Sequence, residues 1–424
     1  MLPFVFLIVC GVYLTVKCRF FQFRFLPASL KYAFGGMKSN SGKNGVSPFQ
    51  AACTALSATV GTGNIAGVAG AVAIGGAGAV FWMWVSAFAG MIVKVAEILL
   101  SLEYREKKQA EYIGGPMYYI KNGLPKILAP MSFLYAAAAV PAVFCSGNLT
   151  QTGAAVQSFG GGTAVKFIGG AAFAAITAAV LAGGAERIGN FTGKIVPFMA
   201  LLYLIMTFGI IGVNISRLPA ALSMILEGAF KPAAVTGGAV GSLSAAVLTG
   251  ASRGVFSNEA GLGTSAMAHS ASAYTDGTRQ SLFGIFEVFV DTVVICTLTA
   301  LSMLCSGVGI EYGKGASTEL VSSAFATLYG KYSVILLAVM MCLFGLSSVI
   351  GWGYYGIVSC NFLFGKTGRQ LFLLLYPLFC IPGALMNIDA AWRLSAFFNG
   401  MLLSINVFAV LLLSEKVIIR LKDL

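Results

Sequence analysis

The sequence predicts an all-α polytopic membrane protein of about eleven transmembrane helices, on three observations. First, 58% of its 424 residues are apolar and only 10% are Asp, Glu, Lys or Arg, against about 45–50% and about 25% in an ordinary soluble domain. A water-soluble surface cannot be built from so little charge. Second, the 52 glycines lie inside the apolar runs, where small residues let membrane helices approach closely. Third, two apolar runs exceed what a bilayer requires and are interrupted at their centres by Gly-rich polar sequence. Collagen, coiled coil, disordered tail and disulfide-rich secreted module are excluded by the same composition. None of the 9 cysteines forms C-x-x-C, so neither a zinc site nor a disulfide framework is indicated.

Crossing a bilayer takes about 20 mostly apolar residues as a helix. Runs of that kind, bounded by charges, Pro or polar clusters, fall at 2–16, 47–74, 79–103, 128–157, 163–183, 195–213, 236–271, 281–306, 332–362, 371–386 and 392–414. The first is short and starts beside Met1, which fits a tilted helix or residues missing upstream. Its positive charges (Lys17, Arg19, Arg24) follow the apolar stretch, so it is not a signal peptide. The run 47–74 contains Thr59-Val60-Gly61-Thr62-Gly63-Asn64, and the run 236–271 contains Ser257-Asn258-Glu259-Ala260-Gly261-Leu262-Gly263-Thr264. Each holds a Gly-x-Gly, 200 positions apart. Paired Gly interruptions at corresponding places in two halves point to a secondary transporter built from inverted repeats, with its site at the breaks. The division that follows is an N-terminal helix and basic segment (1–46), a first five-helix repeat (47–213), an external connector (214–235), a second, inverted repeat (236–414) and a cytoplasmic tail (415–424).

The net charge of +12 reads as an address for the membrane rather than for nucleic acid. With residues 17–45 in the cytoplasm, 19 of the 27 Lys and Arg fall inside and 6 outside (Lys166, Arg217, Lys231, Lys314, Lys331, Arg393), with Lys94 and Arg253 within spans. By the positive-inside rule this predicts an external N-terminus and a cytoplasmic C-terminus.

An unwound stretch in a transmembrane helix frees backbone groups that lipid cannot satisfy but a polar ligand can. A half-helix starting near Asn64 aims amides and a positive dipole end at a carboxylate; one ending near Val60 offers carbonyls to a cation or an ammonium group. A zwitterionic amino acid with a small monovalent ion fits that arrangement, with further hydroxyls from Ser347-Ser348 ahead of Trp352. The competing readings are a close-packing face for Gly-x-Gly, back-bonded serines and an interfacial Trp352.

Ionisable residues within spans are functional candidates by default. Lys94 and Glu97, three apart, read first as a mutually satisfied pair and second as a gate. Glu287 and Asp291 read as a polar path, or as partners of Arg253 or Lys94. Glu259 reads, in order, as a cap for freed amides, a partner of Arg253 or a proton carrier. His269, the single His, reads as structural. Gly250-Ala251-Ser252-Arg253-Gly254 spells G-x-S-x-G without the strand a nucleophile elbow needs. Gly365-Lys366-Thr367 lacks the leading Gly of a P-loop, because position 360 is Cys. No nucleotide is expected, and uphill transport would run on an ion gradient.

At these residues the chain resembles the alanine or glycine:cation symporters, the sodium:alanine symporter family. The stretches are TVKCRFFQFR from Thr15, Phe49-Gln50-Ala51 through GTGNIAGVA ending at Ala69, GGPMYYI from Gly114, RGVFSNEAGLGTSAMAH from Arg253 and GWGYYG from Gly351. The resemblance implies a LeuT-type fold, five plus five inverted helices with one extra N-terminal helix. It also implies sodium-coupled import of small neutral amino acids, chiefly alanine and glycine, across the inner membrane, with no catalytic residues and no cofactor beyond the Na+ coupling ion. Carried over, Thr62, Gly63 and Asn64 would hold the substrate carboxylate, and Gln151, Ser348 and Trp352 would surround the ammonium and close the pocket. Phe256 and Leu262 would bound the side chain. Sodium would take carbonyls near Ser57 and Val60 and the hydroxyls of Ser347 and Ser348. The chain departs from the family in Ser347 or Ser348 where Thr is common, and in Ile357 where an acidic residue follows Tyr-Tyr-Gly. Gln157 corresponds only loosely to a family Gln. These departures leave glutamine and D-alanine as further substrate candidates. The rival functions are a proton-coupled amino-acid transporter using Glu259, or Glu287 with Asp291, and, more remotely, a membrane-embedded hydrolase or a passive channel.

Overall fold

A computed structural model describes residues 2–36, 45–108, 111–238, 242–273, 276–313 and 318–422 of the chain. Of the cations in the topology tally, Lys38, Lys43 and Lys314 lie outside the described residues. Both expected breaks are present, and each is built from local rules. Ser47 opens the first with a capping box: its hydroxyl accepts from the Gln50 amide at 3.2 Å, and Gln50 Oε1 accepts from the Ser47 amide at 2.9 Å. With Pro48 at the first helical position, where its missing amide costs nothing, the helix runs Pro48–Thr59. It resumes as Thr62–Gly75, bent by 56°. The second broken helix starts behind the Ser242 cap, runs Leu243–Asn258 and resumes as Thr264–Ser270. Between them Glu259 sits in the left-handed region with φ of 56°, and Gly261 and Gly263 follow at 86° and 77°.

Among the described residues, seven helices are long and apolar enough to cross a membrane, and eight when the bent pair counts as one span. Dividing the stretch Thr318–Leu385 at Gly365, and adding the second broken pair and the short N-terminal helix Leu2–Lys17, gives the eleven expected segments. At Gly365 the backbone leaves helical geometry (φ 62°, ψ −147°), so the segments expected at 332–362 and 371–386 meet in a sharp kink rather than a loop. The span expected to begin at residue 195 begins at Gly184. Glu186, Arg187 and Lys194 had masked that extension from hydropathy. Helices Leu26–Gly36, Pro116–Gly123, Leu218–Phe230, Thr318–Tyr329 and Ser414–Lys422, and the hairpin Glu106–Lys108 with Glu111–Ile113, occupy connections otherwise expected as loops.

The two broken helices pack on each other and on Ala79–Glu103. The N-terminal helix lies against Ala79–Glu103 and Ile388–Leu412. Large apolar side chains such as Phe208, Leu374 and Phe397 are exposed on the outside, a surface suited to lipid. Two spans contain π-helical stretches: Phe289–Cys296 packs against both breaks, and Val143–Leu149 packs on the helix that carries Trp352. On the hairpin side, the backbone before the first broken helix bridges to that after the second: Val46 pairs with Ser272, and the Ala273 amide donates to the Val46 carbonyl at 2.9 Å. Arg105 donates to the carbonyls of Ser270 at 3.1 Å and Ser272 at 2.6 Å.

Candidate substrate and ion site

At the first break the freed backbone groups are met by neutral side chains. Gln151 Oε1 accepts from the Thr62 amide at 3.0 Å and from its hydroxyl at 2.8 Å. Asn64 Oδ1 accepts from the Gly61 amide at 2.9 Å, and Asn64 Nδ2 donates to Asp291 Oδ1 at 2.7 Å. Asp291 also accepts from Ser257 at 2.7 Å and Thr292 at 2.8 Å. A neutral-looking break is thus tied to a buried carboxylate 227 positions away. Gly61 is needed for the approach itself: a Cβ there would stand 2.5 Å from Ser348 Oγ and 2.8 Å from Gln151 Oε1.

Between the breaks lies a small cavity of about 10 Å³, lined by Ala58, Thr59, Gly63, Ser146, Gln151, Phe256, Ser257, Glu259 and Trp352. That is room for about one water. Of the residues expected on the substrate, Gly63, Gln151, Phe256 and Trp352 meet here. Thr62, Asn64 and Ser348 are buried but do not line the cavity. Leu262 is placed elsewhere: it lines a neighbouring cavity, because its turn is pinned by Tyr135, which donates to the Leu262 carbonyl at 2.7 Å. Trp352 is buried in mid-helix against Gly147 and edge-on to Tyr355 at 5.7 Å, which excludes an interfacial anchor. Ser146, Ser257 and Glu259 escaped the sequence reading of the cavity. Ser257 and Glu259 alternate within the second motif, a signal that was readable. Ser146 sits in a π-helical turn of an apolar run and gave none.

The cavity is sealed on one side by Phe256 against Trp392, ring centroids 4.6 Å apart, with the Arg253 guanidinium 4.8 Å over Trp392. Beyond that seal lie two cavities of about 390 and 400 Å³, both reaching Arg253 and Trp392. The second carries Gln157, Ser158, Glu319 and Asp389.

Around the second break the Gly261 and Leu262 carbonyls accept from neutral Asn406 and Tyr135, at 2.8 and 2.7 Å, and the Asn258 carbonyl meets a charge. Lys94 and Glu97 do not form the expected pair. Lys94 reaches Glu287 at 3.1 Å and donates to the Asn258 carbonyl at 2.9 Å, whereas Glu97 accepts from Asn406 at 2.6 Å. Three-residue spacing put Lys94 and Glu97 on one face, but the freed carbonyl of the break and a carboxylate on the facing helix were nearer claimants. His269 bridges Glu287 at 2.6 Å and Gln280 at 2.9 Å, a structural position. Glu259 accepts from Thr264 at 2.6 Å and does not pair with Arg253, which stacks on Trp392 instead. Ser252 donates to the Thr249 carbonyl of its own helix at 3.1 Å.

The residues expected around sodium come together where the first broken helix crosses the helix carrying Ser347. Ser57 and Ser347 donate to carbonyls of their own helices, Thr54 at 2.7 Å and Phe344 at 2.9 Å. Their lone pairs remain free to accept or ligate. The buried Ser348 hydroxyl has no hydrogen-bond partner among the described residues. Val60 caps the helix end beside them.

Comparison with known proteins joins this geometry to a family. A family model for the sodium:alanine symporter family matches residues 1–424. The chain is 38% identical to the sodium/alanine symporter AgcS of Methanococcus maripaludis, covering 98% of this chain and 92% of that one. It is 34% identical to a probable sodium/glutamine symporter, GlnT, of Bacillus subtilis, covering 99% and 87%. It is 32% identical to a putative sodium/proton-dependent alanine carrier protein, YrbD, of the same organism, covering 97% and 87%. In three dimensions it resembles the crystal structure of MhsT in complex with L-phenylalanine, with a TM-score of 0.66 at 15% identity over 90% of this chain and 93% of that one. That likeness bears out the LeuT-type fold.

Proposed function

We propose, from the premise that this chain belongs to the sodium:alanine symporter family and is therefore a multi-pass amino-acid:cation symporter and not an enzyme, that it imports alanine or glycine with sodium. The observation that carries this reading is the central cavity. Its walls divide into polar groups (Ser146, Gln151, Ser257, Glu259) and apolar ones (Ala58, Phe256, Trp352), the chemistry that a small zwitterion with a hydrogen or methyl side chain requires; a space with room for about one water would widen to admit it. The substrate carboxylate would lie at the start of the half-helix after Gly63, where amides and dipole favour an anion. Thr62 and Asn64 would shape that end through Gln151 and Asp291.

For the ion, the orphaned Ser348 hydroxyl supports a cation among Ser57, Val60, Ser347 and Ser348, since an unpartnered buried oxygen is costly unless something occupies it. Bound sodium would draw these oxygens together and tighten the first break, raising substrate affinity. By linkage, substrate would raise sodium affinity equally. The same reading has two inverted repeats, 47–213 and 236–414, rocking around the cavity in an inner membrane, with the N-terminus outside and the C-terminus in the cytoplasm. The asymmetry of 19 Lys and Arg inside against 6 outside supports that orientation.

The second reading is proton coupling, favoured by the buried carboxylates Glu259 and Asp291 beside the two breaks. Uptake of labelled alanine into proteoliposomes separates the two. Accumulation under an inward sodium gradient, absent with potassium, is the expected result. Accumulation under a proton gradient alone would replace sodium by the proton, and no uptake under any gradient would remove alanine as substrate. Competition by glycine, D-alanine and glutamine then sets the range.

A further inference from the structure

Glu259 is the single ionisable residue on the wall of the central cavity. Its backbone is in the left-handed region at φ 56°, a conformation unfavourable by about 1–2 kcal/mol for a residue with a Cβ. Such outliers persist where the surroundings over-determine them and cluster at ligand sites. Here the local sequence offers a strain-free alternative, since Gly261 and Gly263 stand two and four positions on. One carboxylate oxygen, Oε2, is held by the Thr264 hydroxyl at 2.6 Å. The other has no hydrogen-bond partner among the described residues, and no Lys, Arg or His forms an ion pair with Glu259. Lys94, the nearest candidate, is engaged by Glu287 and the Asn258 carbonyl. A buried carboxylate held by one edge, unpaired and facing a polar cavity is a receptor for a cationic group.

Resting on the substrate reading above, we infer that Glu259 contacts the substrate directly and binds its ammonium group, opposite the carboxylate end at Gly63, so that the site selects amino acids over hydroxy acids by charge. Gln151 and Trp352 then shape the pocket, while Glu259 supplies the only counter-charge on its wall.

The test compares L-alanine with L-lactate, which exchanges the ammonium for a hydroxyl, as competitors of labelled alanine in proteoliposomes of the full chain. Glu259→Gln keeps an acceptor for Thr264 and removes the charge. Alanine affinity should fall at least 30-fold while lactate changes less than threefold, so that the preference collapses. Glu259→Asp retracts the carboxylate by one methylene and should reduce the preference about tenfold, which carries the test should the Gln variant not fold. A merely structural role would weaken both compounds in parallel and leave their ratio intact; that result, or unchanged alanine affinity, overturns the inference. So does loss of sodium dependence with the ratio intact, which would make Glu259 an ion ligand. If the unaltered protein takes up neither alanine nor glycine, the substrate reading fails and this inference falls with it.

Discussion

At the first break the freed amides of Gly61 and Thr62 meet Asn64 and Gln151, both neutral, whereas at the second the Asn258 carbonyl meets the Lys94 ammonium, itself paired with Glu287, which is bridged in turn to His269. Neutral hydrogen bonds of this kind contribute about 0.5–1.5 kcal/mol each, within reach of exchange for a small ligand. Removing one partner of a buried ion pair costs about 3–5 kcal/mol. The difference teaches that the amides of the first break rest on exchangeable neutral partners, whereas one carbonyl of the second is fixed by a buried ion pair. On the proposed reading, the first break would carry most of the ligand contacts, with Glu259 as the second break's contribution.

The largest expected effect comes from breaking the anchored side. Lys94→Met should destabilise the protein by up to about 3–5 kcal/mol by taking the ammonium away from buried Glu287, which keeps only its contact with His269, read as a lowered melting temperature in detergent. Adding Glu287→Leu should recover more than half of the loss. No recovery in the double variant would show that the pair is not the anchor.

Gln151→Ala attacks the exchangeable side. It strands the Thr62 amide and hydroxyl, which should cost about 1–3 kcal/mol, and the KM for alanine should rise by roughly 5- to 150-fold. An unchanged KM would separate Gln151 from the site. The smallest effect sharpens the contrast. Ser348→Ala deletes a buried hydroxyl that has no partner among the described residues, so stability should move by less than about 0.5 kcal/mol. The sodium concentration for half-maximal uptake should nonetheless rise about 2- to 12-fold, the worth of one lost oxygen ligand on a hydrogen-bond scale. A large loss of stability with sodium dependence unchanged would make Ser348 structural.

Both breaks were legible in the sequence because a cluster of glycine, threonine and asparagine weakens a helix in the middle of an apolar run, where lipid offers its freed backbone groups nothing in return. Gly63, Gln151, Phe256 and Trp352 line one cavity. What stayed hidden depends on partners far along the chain. Lys94 and Glu97 satisfied a spacing rule that sees only one helix, and Glu287 lies 193 positions from Lys94. Asp291 reaches Asn64 from a π-helical stretch, whose extra residue per turn breaks the 3.6 periodicity used to assign faces. Leu262 shares a motif with Glu259, yet the left-handed turn sends it to a different cavity. Hydropathy similarly missed the first turns of Gly184–Val213, where charged residues extend a helix beyond its apolar core.

The bridge between Val46 and Ser272 joins points more than two hundred positions apart. It makes the entrance of one broken helix and the exit of the other a single lever, since neither can tilt alone without first parting the clasp. A hydrogen bond of this kind is worth about 1 kcal/mol, only a little above thermal energy. The clasp therefore works as a detent in a mechanical sense. As such it would mark one relative position of the two ends and yield to a modest push from either.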